Sequence, residues 1–124
     1  MATLETAARN AACDAIVDLI DGGAGAGTLV FETSGDVEVA TLTFQDPAFG
    51  AAAAGVATRA GSITDDTNAT GGVVAQASFY DSNSAKILEA TVATSGADIN
   101  LSSLTVGAGD TVSVSTLTVT MPAT

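Results

Sequence analysis

TLVFETSGDVEVATLTF, residues 28–44, is the stretch on which the fold turns. Small or apolar residues alternate with polar ones through TLVFET and again through VEVATLTF. That period of two sends successive side chains to opposite faces of a strand. Between the runs, SGD has the residue types of a tight turn. An antiparallel hairpin is predicted, with strands over 28–33 and 37–44.

Working outward, the pattern recurs twice downstream. GVVAQASFYD and KILEATVA flank SNSA over residues 72–93, and DINLSSLTV and TVSVSTLTVTM flank GAGD over 98–121. Strand signals every eight to twelve residues or so predict a mainly β fold, an antiparallel sandwich or barrel of about six to eight strands. Upstream the period changes. In LETAARNAACDAIVDLI, residues 4–20, the positions Leu4, Ala8, Ala12, Ala15, Ile16, Leu19 and Ile20 share one helical face. Thr3 is placed to cap this helix, Glu5 to pair with Arg9, and Gly22–Gly23 to stop it. GGAGAG, residues 22–27, then reads as a flexible linker. Its glycine spacing does not fit a phosphate cradle, and it leaves a helix where a cradle would open one. The chain thus divides into a helix with its glycine stop, 1–23, and a single β-domain, 24–124.

FQDPAFGAAAAGVATRAGSI, residues 44–63, interrupts the strands with almost no large side chain. Asp46, Pro47 and four alanines would start a helix well, but Gly50 and Gly55 each cost about 1 kcal/mol in a helix interior. An extended or looping path over 47–59 is favoured, smooth enough for another surface to approach closely.

With 124 residues, the chain supports one core. Fourteen acids face three cations, Arg9, Arg59 and Lys86, for a net charge of -11. Nucleic acids and anionic lipid surfaces are poor partners for such a chain. No apolar run is long enough to suggest a membrane span, and the first residues, MATLETAARN, do not read as an export signal. Hydrophobic residues make up 47% but aromatics only 4%, so the core must be thin and apolar surface is left over for neighbours to cover.

Residue chemistry argues against an enzyme. Histidine is absent, lysine occurs once, and Cys13 sits alone beside Asp14, unactivated and suited to packing. Asp65, Asp66 and Asn68 in TDDTNATGG offer oxygen ligands but lack the spacing of a calcium loop, and a solvated turn explains them. No catalytic residue, metal or cofactor is expected.

AARNAACDAIVDLIDGG (7–23), TLTFQDPAFGAAAAGVAT (41–58) and SFYDSNSAKILEATVATSGADINLSSLTVGAGDTVSVSTLTVTMP (78–122) together resemble small tailed-bacteriophage virion structural proteins. The resemblance spans nearly the whole chain, and DPAFGAAAAGVAT and TSGADINL carry it. It implies a non-enzymatic part of the particle, of the head decoration or cement kind, and transfers no functional residue. The charge agrees with the outside of the shell, since an acidic protein facing packaged DNA would be repelled.

On this reading the partners are the major capsid protein and further copies of the chain. A trimer would suit threefold lattice positions, on a virion head assembled in the bacterial cytoplasm. The expected contacts are Leu4, Ala8, Ala12, Ile16, Leu19 and Ile20 on the helix, with Phe49, Ala52 and Val56 on the smooth segment. The helix must be held by a surface outside itself, either a partner's or that of its own sheet. The alternative functions are a fibre or adhesin module stacking a host glycan on Tyr80 or Phe79, and a tail or connector subunit.

Overall fold

The computed structural model of the protein describes residues 2–123. It is a mainly β fold with one N-terminal helix: α1 (Thr6–Ile20), β1 (Thr28–Glu32), β2 (Glu38–Thr43), β3 (Val56–Thr58), β4 (Gly72–Val73), β5 (Gln76–Tyr80), β6 (Lys86–Ala93), β7 (Ile99–Asn100), β8 (Thr105–Val106) and β9 (Thr118–Thr120). The mainly β fold behind one N-terminal helix is as expected, with nine short strands among the described residues.

The first hairpin forms as its alternation predicts. Leu29 opposes Leu42 and Phe31 opposes Ala40, and all four are fully buried on one sheet face. Burying side chains the size of Leu29 and Phe31 contributes roughly 1.5–3 kcal/mol each. The second hairpin, β5–β6, joins it through β1, giving a five-stranded sheet in the order β2-β1-β5-β6-β7. Asp81 closes its turn, its Oδ1 accepting the Asn83 and Ala85 N–H groups at 2.9 Å each. Phe79 carries the buried face onward and stacks on Phe44, ring centroids 5.8 Å apart.

The expected third hairpin does not form. β7 runs parallel to β6, β8 pairs with β4, and β9 pairs with β3, each over two or three residues. Alternation assigned faces correctly along 98–121 but could not choose partners, because β8 and β9 pair across long stretches of chain and β7 turns back parallel to β6.

Helix α1 packs on the molecule's own β-structure. Its buried stripe is Cys13, Val17 and Ile20, and these join the strands in one core. That stripe lies one residue along from the expected face, a rotation of about 100°. The polar positions Asn10, Asp14 and Asp21, which lie off the expected face, accept backbone N–H groups of residues 48–55. Neither expected terminal interaction forms. Glu5 stands at the N-cap without a side-chain bond, and Arg9 reaches Thr6 Oγ1 at 3.4 Å. Among the described residues the one ion pair is Lys86–Glu89, at 3.0 Å.

The linker is not loose. Ser82 donates to the Gly22 carbonyl at 2.9 Å and accepts the Gly25 N–H at 3.3 Å, pinning the linker to the β5–β6 turn. A Cβ on Gly27 would stand 2.5 Å from the carbonyl oxygens of both Ile20 and Tyr80, so only glycine lets the helix end and the sheet meet there.

Candidate functional site

The smooth segment answers the helix. Extended after Pro47, it turns back on itself, with Phe49 bridging Arg59 and Ala53 bridging Val56. Ala54 (φ 53°) and Gly55 (φ 79°) form the turn, the left-handed pair of a type I′ hairpin. No helix forms here, in keeping with the extended path expected over 47–59. Helix side chains then accept its backbone donors. Ala48 N–H bonds Asp21 Oδ1 at 2.8 Å, Ala52 N–H bonds Asp14 Oδ1 at 2.7 Å, and Gly55 N–H bonds Asn10 Oδ1 at 2.8 Å. The segment carries these side-chain bonds beside the backbone bonds of its own hairpin, so it lies close to the helix, and alanine and glycine permit that. The approach expected from a neighbouring surface is thus made by the chain's own helix. Desolvation raises the Asp21 carboxyl above its usual 3.8; Asp46 and Asp18 add to the rise, and the Ala48 N–H opposes it.

A second polar centre lies on the outer face of the sheet. Register places Thr28, Val30 and Glu32 of β1 beside Tyr80, Ser78 and Gln76 of β5. Glu32 is 4% exposed and Ser78 fully buried. Glu32 accepts from Ser78 Oγ at 2.6 Å, Tyr80 OH at 3.0 Å and Gln76 Nε2 at 3.4 Å, which satisfies the buried groups. Gln76 also donates to Asp36, and Lys86 to Glu89. Burial, then the bond to Glu32, raises the Tyr80 hydroxyl above 10.0, and Glu89 raises Lys86 above 10.5. Ligand atoms of Glu32, Asp36 and Glu89 lie within 4.8 Å of one another, the one such trio among the described residues. Each already takes a proton donor from Ser78, Gln76 or Lys86, so the trio works as a hydrogen-bond hub. Sequence reading missed it because Glu89 reaches the other two only through the β1–β5–β6 register.

The residues expected to meet a partner are scattered. Ile20 is fully buried, Phe49 is 6% exposed, and Ala12, Ile16, Ala52 and Val56 are half-buried. Leu4, Ala8 and Leu19 are exposed, Leu4 and Leu19 at 41% and 56%. Cys13 is buried, its thiol directed at the Val119 carbonyl at 3.3 Å, in a packing role.

Asp66 accepts the Thr41 and Asn68 N–H groups at 2.8 and 2.9 Å, so the expected solvated turn is a fastening for β2. Phe79 is 1% exposed and Tyr80 is tied to Glu32, leaving neither ring free as a platform for a sugar. No described helix is long and apolar enough to cross a membrane. Comparison with protein-family models, characterised proteins and solved structures finds no match.

Proposed function

We propose that the protein is a non-enzymatic structural component of a phage virion, a decoration or cement protein that binds the outer capsid surface and stabilises contacts between capsid subunits. One observation carries this reading: the acids serve as internal fastenings. Asp14, Asp21, Asp66, Asp81, Asp98 and Asp110 each accept a backbone N–H. Such use supports a rigid scaffold that presents surfaces, and the resemblance to virion proteins names the setting. Leu4, just ahead of the helix, and Leu19, on it, stand outside the core, available to a capsid subunit or to another copy of the chain.

The test adds purified protein to capsids lacking it and follows bound copies by gel densitometry and capsid rupture on heating. Binding at a fixed copy number with a raised rupture temperature is expected, and Leu4→Asp with Leu19→Asp should abolish it while the isolated protein melts unchanged. Sedimentation at micromolar concentration should show a trimer. Full binding by the double variant, or no binding by the parent chain, would overturn the proposal.

A further inference from the structure

The five-stranded sheet is sealed on one side and open on the other. Along β2, Thr43 and Thr64 exchange backbone bonds at 3.2 and 2.8 Å, Asp66 takes the Thr41 N–H, and Gly71 N–H bonds the Val39 carbonyl at 3.1 Å. Beyond β6 the cover is partial. Leu101 N–H bonds the Ala93 carbonyl at 2.9 Å, and Thr91 N–H turns to Asp98 Oδ2 at 3.0 Å. Odd residues of β6 therefore present backbone groups away from β5, and the two-residue period sends those of Glu89 the same way. β9 is also open. Arg59 N–H bonds the Leu117 carbonyl at 2.9 Å and Met121 N–H bonds the Gly55 carbonyl at 2.7 Å, so Thr118 and Thr120 direct theirs away from β3.

A furrow runs between these edges. One end, about 290 Å³, has Phe79, Leu88, Ile99 and Leu117 in its lining and Thr118–Thr120 on one bank. It continues past Asp98–Asn100 opposite Ser113–Thr116, about 260 Å³, to a third widening of about 240 Å³ beside Asp110. Shared lining residues join the three: Asp98 and Ile99 the first pair, Asn100 and Ser113 the second. The bank over 112–120 can be matched by a strand of about 26 Å at ~3.3 Å per residue.

We propose that this furrow receives an extended strand from a different polypeptide, with apolar residues at alternate positions and Lys or Arg between them. Edge backbone at Glu89, Thr118 and Thr120 calls for a strand's donors and acceptors, and the partly exposed Leu88, Ala90 and Val119 take one side of it. Its other side faces Asp98 and Asp110, two exposed acids. A second copy fits poorly, bringing another -11 and only three cations, each in a separate stretch. The inference goes beyond the capsid reading and holds whether or not the partner is a capsid subunit.

The test is amide exchange on the full chain with the blocked peptide Ac-KVTVKVTVK-NH2. Exchange at Glu89, Thr118 and Thr120 should slow at least tenfold. The same peptide N-methylated at alternate residues should give no protection, and the version with Glu for Lys should need at least tenfold more peptide. Thr118→Pro, which removes only an outward N–H from an edge strand, should keep the cooperative melt and lose the protection at Thr120. Three results overturn the proposal: amides already protected in the free monomer, protection that rises with protein concentration alone, or equal protection by the N-methylated or acidic peptide.

Discussion

The two hairpins within residues 28–93 and the stretch 98–121 carry the same alternating pattern and meet different ends. In the first stretch, two hairpins and their junction form ladders of five pairs each, with one bulge in each hairpin. In the second, no pairing exceeds three residues, and each partner lies elsewhere in the chain. Alternation specifies which face of a strand is buried, whereas a short turn specifies its neighbour. Where the turn does not dictate pairing, each short strand takes an edge that lets it cover apolar residues, nearby for β7 and distant for β8 and β9.

Core truncation tests this contrast most strongly. Phe31→Ala, on the central strand β1 and fully buried, is expected to cost about 3–5 kcal/mol in urea unfolding. Leu117→Ala, beside the three-residue β9, should cost about 2 kcal/mol, because a bank open on one side can relax into the space. Equal losses would mean that the C-terminal segment is as tightly held as the sheet.

Glu32 tests whether the sheet's outer face is as firmly specified as its inner one. Glu32→Ala leaves the Ser78 hydroxyl buried without its acceptor, at an expected cost of about 2–3 kcal/mol. The double variant Glu32→Met, Ser78→Ala should recover most of that, since neither polar partner then remains. A double variant no better than the single one would show that the hub matters for its shape and not for its bonds.

How much of this could be read beforehand follows from where each partner sits. The hairpins of 28–44 and 76–93 were legible because pattern and turn lie together in the chain. The class of fold was legible for the same reason. The helix was legible as a helix, but its docking face was not, since Asn10, Asp14 and Asp21 turn inward to backbone donors that no hydrophobic count reveals. Glu32, Asp36 and Glu89 meet only through the register of three strands. The furrow was invisible because it is made of unpaired backbone, which has no residue signature.

The smooth segment lies between the two regimes, held by helix side chains. Asp14→Ala should cost about 1–2 kcal/mol by freeing the Ala52 N–H, as read by thermal melts. Asp21 adds a pH signature. Its folded pKa lies above the unfolded 3.8, so its contribution is fully present below about 3.8 and is lost as pH rises through the folded value. Asp21→Asn keeps an oxygen for the Ala48 N–H and cannot ionise. The variant's melting temperature relative to the parent should therefore climb between pH 4 and pH 7. A flat difference would show that Asp21 titrates alike folded and unfolded.

The smallest effect is expected at the turn that lets this segment fold back. Ala54 sits at φ 53°, where a Cβ crowds the following carbonyl at a cost of about 1 kcal/mol, and Gly55 follows at φ 79°. Asparagine tolerates that region better, and Asn-Gly is the preferred pair for a type I′ turn. Glycine would remove the crowding too but would add unfolded-state entropy. Ala54→Asn should thus stabilise by about 0.5 kcal/mol and Ala54→Gly by less, both measured as urea midpoints. Gly55→Ala tests the opposite sense, since its Cβ would stand 3.0 Å from the Met121 carbonyl oxygen and Arg9 Nη1. If Ala54→Asn destabilises while Gly55→Ala is neutral, the turn is not type I′, and the segment is shaped by the helix bonds alone.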